Sequence, residues 1–515
     1  MPAGSGQGPR GEAHLLPVTR AQRGAALGIV ALYLGVTLAL AFTARPQNDE
    51  AIYANPGYNL LHSGNMGLTL YPLPDYLPLS AAQRTYFQPP LFFLVTAGFY
   101  RIAGFGVMQL RLLSVFFGLV CLCSWYLIVR KLTKSVQPAL LATALISIDY
   151  FFLLGAAHGR MDIMCVGLGS AGLAVYMFWR ESNLPGAVFG GNLLAGAALL
   201  VHPSGLVWAA GVLLAMGMLD GRSLSLKLLA LGALPYLSAG AVWGSYIVQD
   251  VTAFREQMRA ALAVNLGSFD YSHLSHSRWL AYLEQEILSR YAAPFGLLGG
   301  GSLAGRAKIL VLAVYLAGVL GILLSRRLRQ HLPLLWLPIF FISGFLLLAE
   351  ISPSKFNYYL PHTTVILAAC AGTFLYKIFD PPRWGPILAT TAALAAIQLG
   401  GAAALIKRDE FRREFLPELD VIRRNTAPGF TVMSEAEYWF GLQGRTVLVD
   451  PALGFHIGRH PDVFVMNSVF RDLHEKQRQS DPAVFQHVQE LLDRSRIIYS
   501  DSYAQVYRTD SSEVK

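Results

Sequence analysis

Charge is scarce in this chain. Asp, Glu, Lys and Arg make up 14% of the 515 residues, against about 25% in soluble globular proteins, so a string of ordinary water-soluble domains is excluded. Cysteine is scarcer still. Cys121, Cys123, Cys165 and Cys370 lie in apolar stretches, with neither the spacing of a metal site nor the density of a disulfide scaffold. No P-loop is present and no G-x-G-x-x-G follows a strand, which removes support for a soluble nucleotide site. Internal symmetry is also missing, although a multi-span transporter would be expected to carry it. The net charge of +9 does not mark a nucleic-acid binder, because Lys and Arg fall singly or in small clusters between apolar runs.

What the chain has instead is long apolar runs. Apolar stretches long enough to span a bilayer, uncharged apart from Asp149, occur at about 24–44, 112–129, 136–157, 163–179, 228–248, 309–325, 332–349, 359–376 and 384–406. The stretch 182–219 holds two more, with His202-Pro203 as the turn between them. The sequence therefore predicts an α-helical polytopic membrane protein with about eleven transmembrane helices over residues 1–406. Its first helix is read as an uncleaved span rather than a signal peptide. The run at 85–100 contains the helix-breaking pair Pro89-Pro90, and 291–305 is broken at Gly299-Gly300-Gly301; both are read as interfacial or re-entrant.

With residue 1 inside, the short inner loops hold Arg130, Lys131, Lys134, Arg180, Arg222, Lys227, Arg326, Arg327, Arg329, Lys377 and Arg383, as the positive-inside rule requires. The short outer loops hold only Arg160 and Lys355. Two long outer segments follow, near 45–111 and 250–308, the second with amphipathic helical spacing around Phe254, Met258 and Leu262. An odd number of spans leaves 407–515 on the outer face. There the charge returns, with 15 basic and 17 acidic residues. A charged helix interrupted at Pro417, strands at 429–434, 446–450, 496–500 and 504–508, and a helix near 482–494 predict a small C-terminal α/β domain.

The first outer segment opens with Asp49-Glu50, directly beyond a membrane helix. Asn55 is read as the cap of a helix that starts at Pro56 and stops at Gly64, which leaves the acidic pair on a fixed turn ahead of it. The second outer loop reads His158-Gly159-Arg160-Met161-Asp162: either a solvated turn with Asp162 as a helix cap, or part of a site. Arg160 and Lys355 stand against the topology bias, and an anionic ligand would supply the reason. Tyr358 and Tyr359 are interfacial anchors or partners of the same anion. Asp149, inside an apolar run, is a functional carboxylate or one satisfied by a cap and hydrogen bonds. His62, His158, His202 and His362 show no ligand spacing. Asp49, Glu50 and Asp162 allow a divalent metal without requiring it, since two cations also neutralise a phosphate; no metal ligands and no certain cofactor are assigned.

Taken in order, these marks resemble the GT-C membrane glycosyltransferases, in particular the branch of protein O-mannosyltransferases and lipid A aminoarabinose transferases. The marks are Asp49-Glu50 after the first span, Gln88-Pro89-Pro90-Leu91 opening an outer juxtamembrane helix, and Leu110-Arg111 opening the second span. Arg160-Met161-Asp162 and Lys355 followed by Tyr358-Tyr359-Leu360-Pro361 complete them, so the resemblance runs from the first helix to about Leu360. It departs at Asn55-Pro56, which interrupts an often continuous helix, and at Gln88, where His or Lys is frequent.

The resemblance implies a polyprenyl-phosphate-sugar-dependent glycosyltransferase that passes its sugar to a lipid, glycan or protein acceptor at the outer membrane face, with the first-loop aspartate as base. It implies a bacterial inner (plasma) membrane, the C-terminal domain on the periplasmic or extracellular side, membrane lipid as surroundings and no nucleic-acid partner. The residue chemistry agrees. A carrier phosphate is already a good leaving group, so one carboxylate for the acceptor proton and cations for the phosphate suffice. Asp49 is expected as the base, with Glu50 and Asp162 placing acceptor or sugar, and Arg160, Lys355, Tyr358 and Tyr359 binding the substrate. One base without a second nucleophile implies inversion at the sugar carbon. The rival readings are a transporter or flippase of a lipid-linked or anionic substrate, and a sensor whose outer domain is the working part.

Overall fold

The computed structural model describes residues 18–72, 78–267, 278–298, 303–352, 355–379 and 381–509. Among them nine helices are long and apolar enough to cross a membrane, or ten when one bent pair counts as a single span. The chain is an integral membrane protein. Helix α1 (Arg20–Thr43) is followed by α2 (Asn48–Ser63), α3 (Leu91–Ala103), α4 (Val107–Thr133), the bent pair α5 (Val136–Ile148) and α6 (Tyr150–Ala157), and α7 (Met161–Trp179). Spans Leu184–Val201, Gly205–Asp220, Leu226–Ile247, Leu303–Leu324, Leu332–Ile351 and Trp384–Arg408 complete the set.

The eleventh expected span is the 17-residue helix Pro361–Lys377, in which every position from 361 to 373 is buried. Surrounded by protein, it needs no lipid-facing surface and tolerates Thr363 and Thr364. Helix α3 has 13 residues, about 20 Å of rise, too short to cross, and it begins directly after Pro89-Pro90 as expected. In the 250–308 segment, helix Val251–Gly267 buries Ala253 and Gln257 and half-buries Phe254 and Met258, while Leu262 stays exposed. The expected break at Gly299-Gly300-Gly301 lies outside the described residues.

Two readings of local structure are corrected or decided. Helix α2 does not start at Pro56; it starts at Asn48 and runs through Pro56. The Gln47 amide donates to Glu50 Oε2 at 2.9 Å, which closes the first turn well before the proline. Asn55, instead of capping, accepts from the Thr69 amide at 2.8 Å and from Asn59 Nδ2 at 3.1 Å, tying the following loop to the helix. Gly64 ends the helix at φ 73°, as expected. Asp49 and Glu50 thus occupy the first turn of a continuous helix, where the macrodipole favours negative charge, and the departure at Asn55-Pro56 disappears. Asp149 is the satisfied carboxylate of the two alternatives. It stands at the 61° bend between α5 and α6, caps α6 through the Phe152 amide at 2.8 Å, and accepts from the Tyr315 and Thr364 hydroxyls at 2.9 and 3.0 Å.

The C-terminal region forms a five-stranded sheet in the order β2-β1-β3-β5-β4, with β1 Thr431–Met433, β2 Thr446–Leu448, β3 Val463–Asn467, β4 Ser495–Ser500 and β5 Ala504–Thr509. Strand β1 is parallel to β2 and β3, and β5 is antiparallel to β3 and β4. Strand β3 is not among the expected strands. All five of its positions are buried, so it lacks the alternation by which a half-exposed strand is recognised. The helix after it, Ser468–Ser480, is likewise an addition, and Pro417 stands where a π-helical stretch, Phe411–Phe415, passes into helix Leu416–Arg424, the interruption expected there. This domain packs on the α2 end of the bundle: the Tyr58 ring meets Trp439 edge-on at 5.3 Å, and the Val449 amide donates to Leu70 O at 2.8 Å. At the other ends of α4 and α7, Lys131 pairs with Glu181 and Arg180 with Asp220; both cations belong to the expected inner set.

Candidate active site

The loops that follow α1 and α6 carry the site, and one buried ion pair fixes both. Arg111, at the start of α4, donates to Glu50 Oε1 at 2.8 Å and Oε2 at 2.7 Å. Its remaining donors reach the carbonyls of Ala41, Ala44 and Arg45 at 2.6, 2.8 and 3.1 Å, carbonyls at and beyond the end of α1 that no further helical turn satisfies. Glu50 accepts in addition from the Gly159 amide at 2.7 Å, beside Arg160. Burial alone would raise its carboxyl pKa, but Arg111, His158 and the Gly159 amide outweigh that and hold it at about 2. Every direction around Glu50 is occupied. It is a structural anion and a poor proton acceptor.

Asp49 faces the other way. Its side chain is 39% exposed and pairs with Arg160 Nη1, while Arg160 Nε donates to the buried Asp162 at 3.0 Å. The Tyr358 ring lies 3.9 Å beneath the guanidinium and the Tyr53 ring 5.5 Å away. Burial and the Asp49 charge hold the Tyr53 hydroxyl firmly protonated. Asp162 Oδ1 is buried with no hydrogen-bond partner among the described residues, which leaves one strong acceptor unused beside Arg160. Asp162 sits in the first turn of α7 and does not cap it; Arg160 stands at the cap position.

Lys355 is not in this group. It belongs to a second one, where its Nζ donates to Ala349 O at 2.6 Å and lies 3.3 Å from Glu286, which also pairs with Arg290 at 2.6 Å. Tyr359 lies between the two groups: its ring is 5.4 Å from the Arg290 guanidinium, and its hydroxyl feels the charges of Asp162 and Arg160 as well as that of Arg290. The first group, two carboxylates on one guanidinium, carries one net negative charge. The second sets two cations on one carboxylate, with Glu350 also within electrostatic reach of Lys355. Burial lowers the Lys355 ammonium pKa to about 8; Glu286 opposes the shift and Arg290 adds to it.

A cavity of about 790 Å³ opens between the end of the bundle and the C-terminal domain. Tyr150, Phe151, Leu154 and Leu405 form an apolar wall, and Asn48, His158 and Tyr358 bring it alongside the Asp49 group. No group of three His, Cys, Asp or Glu among the described residues is placed to hold a metal ion. The set Asp49, Glu50 and Asp162 does not fit one, because Glu50 turns to Arg111 while the Arg160 guanidinium occupies the space between the other two. His158, His202 and His362 are each hydrogen-bonded inside the fold. Sequence reasoning missed Arg111, Tyr53, Glu286 and Arg290 as members of the site. Glu286 and Arg290 stand at i,i+4 spacing, a visible signal for a pair but not for its location.

Residues 87–245 match the family described as dolichyl-phosphate-mannose-protein mannosyltransferase. Among solved structures, the chain is similar to ArnT from Cupriavidus metallidurans bound to undecaprenyl phosphate, at 16% identity and a TM-score of 0.60 over 95% of this chain and 98% of that one. It is also similar to the archaeal oligosaccharyltransferase AglB from Archaeoglobus fulgidus in complex with an inhibitory peptide and a dolichol-phosphate, at 13% identity and a TM-score of 0.51 over 96% and 75%. No curated protein matches the chain in sequence. The chain shares its fold with ArnT over nearly its whole length, and the segment matched by the family carries α3, α4 and the Arg160-Met161-Asp162 turn.

Proposed function

We propose that the chain is a glycosyltransferase that takes a sugar from a polyprenyl-phosphate carrier and passes it to a hydroxyl of a lipid, glycan or protein acceptor. The observation that carries this reading is a half-open carboxylate, Asp49, held on Arg160, with the buried cations Lys355 and Arg290 gathered on Glu286 and Tyr359 within electrostatic reach of both groups. The acceptor oxygen gives its proton to Asp49 and attacks the sugar carbon. The bond from that carbon to the phosphate oxygen breaks, and its electron pair leaves with the carrier. Lys355 and Arg290 receive the phosphate, whose charge grows as the sugar departs. Arg160 spends two of its five N–H donors on Asp49 and Asp162, which leaves others for the phosphate. The orphaned Asp162 Oδ1 takes a sugar hydroxyl. Mass analysis after incubation of the purified protein with short-chain polyprenyl-phosphate hexoses and mixed acceptors tests the reading: product and bare polyprenyl phosphate are expected in equal amounts.

The direction of the Lys355 shift gives a pH signature. As pH rises through about 8 the ammonium is lost, so the KM for the carrier sugar is expected to climb on the alkaline side. Lys355→Arg keeps its charge to beyond about pH 12 and should remove that limb. Lys355→Met should weaken carrier binding by roughly 10- to 150-fold at neutral pH, the cost of one charge-assisted bond; an unchanged affinity would make Lys355 a strut of the fold.

The setting proposed for this reaction is the outer face of a bacterial inner membrane, with 407–515 outside. The carbonyl ends of α1 and α6, the start of α7 and the C-terminal domain lie at one end of the bundle, and the paired inner cations lie at the other. Reporter fusions at Gly221 and Ser511 are expected on opposite sides of the membrane. Same-side signals would mean a miscounted span.

A further inference from the structure

The C-terminal domain does more than roof the cavity. Arg45 and Asn48 bracket the two residues that lead into α2, and both are gripped by that domain. The Arg45 guanidinium binds Glu418 at 3.1 and 2.5 Å, Glu437 at 2.9 Å and the Tyr438 hydroxyl at 2.8 Å. Asn48 makes a reciprocal pair: its Nδ2 donates to Glu435 Oε1 at 2.8 Å and its Oδ1 accepts from the Ala436 amide at 2.7 Å. The next residue is Asp49.

The orientation of this pair is forced. The Ala436 amide can only donate, so the Asn48 oxygen must face it and the Asn48 nitrogen must face Glu435. On its far side Glu435 Oε2 accepts from Asn467 Nδ2, and Asn467 is itself oriented because its Oδ1 caps helix Ser468–Ser480 through the Phe470 amide at 3.0 Å. Glu435 is 6% exposed and Asn467 1%, so solvent offers little relief if one link is broken. A chain of bonds therefore runs from the core of the C-terminal domain to the residue preceding the candidate base.

We propose that Asn48 and Glu435 are positioning residues through which the C-terminal domain sets Asp49 against the acceptor hydroxyl. The inference rests on the reading of Asp49 as base. A base must sit within hydrogen-bond reach of the proton it takes, and a displacement of about 1 Å can cost about a hundredfold in rate. The domain is thus part of the catalytic geometry, and its removal or loosening should act on kcat.

The polarity of the clamp supplies the test. Asn48→Asp places a second carboxylate against Glu435, and Glu435→Gln places a donor against the Asn48 donor. Combined, the two changes restore every bond with one of them reversed: the new amide at position 435 donates to the new carboxylate at position 48, while its oxygen still accepts from Asn467. Each single variant should lower kcat by about a hundredfold, leave the KM for a short-chain polyprenyl-phosphate hexose near wild type, and speed hydrogen exchange of the amides from 49 to 52. The double variant should recover both. Wild-type turnover in either single variant while Asp49→Asn is inactive would overturn the clamp and leave the base standing. A double variant that stays slow, with β3 amides still protected, would overturn it as well. Should Asp49→Asn itself prove active, the base reading fails, and the exchange data alone decide whether the clamp holds the turn.

Discussion

Replacing Asp49 with Asn lowers turnover by about two to four orders of magnitude and leaves carrier binding in place. The substitution keeps the shape of the side chain and an oxygen for Arg160, and removes the basicity together with the negative charge. Asp49 is 39% exposed and Asp162 remains as the partner of the buried Arg160, so thermal stability should fall less than for a fully stranded charge. The same change at the neighbouring carboxylates reads differently. Glu50 is closed on every side and held at about 2, which makes it a poor base in a position no acceptor reaches. Single-turnover rates and carrier affinity, measured on the folded variants, separate these roles. Near-normal turnover in Asp49→Asn would end the assignment of the base.

Arg111→Met is expected to cost about 3–5 kcal/mol of stability, the usual consequence of stranding a buried charge. Glu50 would lose its counter-ion at 0% exposure, and the end of α1 would lose the donor to three carbonyls. Replacing both partners, as in Arg111→Met with Glu50→Met, should return much of that stability, because an apolar pair of similar volume carries no desolvation cost. Activity should not return with it. The Gly159 amide would have no acceptor, and the loop that presents Arg160 would be free to move. Thermal unfolding in detergent reads the first effect and turnover the second. Recovery of both in the double variant would show that the pair only holds the fold.

The pH dependence of the same pair has a defined sign. Glu50 titrates near 4.5 when unperturbed and at about 2 in the fold, so folding favours its ionised form. The stabilisation is fully present above about pH 4.5 and is lost as pH falls toward 2. Glu50→Gln should flatten that acid limb.

Much of this arrangement is legible in the sequence, and the reasons are physical. Apolar runs longer than a bilayer is thick read directly as spans, and Arg160 and Lys355 are conspicuous because they oppose the charge bias of the loops. Arg111 carries the same signal, yet it closes a long outer segment, where that bias is not counted. Pro56 reads as a helix start on the local preference for proline at the first position; the Gln47–Glu50 turn and the contacts of Asn55 override it. Strand β3 is buried throughout and carries no period. The Asn48–Glu435 bond joins residues 387 positions apart, a separation at which no pattern in the sequence gives notice.

The central claim is that a covalent bond between sugar and carrier phosphate breaks in this protein. The direct measurement uses a short-chain polyprenyl-phosphate hexose labelled with ¹³C in the sugar, supplied to the protein in proteoliposomes with a mixed pool of lipid, glycan and peptide acceptors. The label is expected to appear on an acceptor with one bare polyprenyl phosphate released for each transfer, and both should disappear in Asp49→Asn. Intact donor recovered in full, moved from one leaflet to the other in wild type, would contradict the account and make the protein a carrier of lipid-linked sugars.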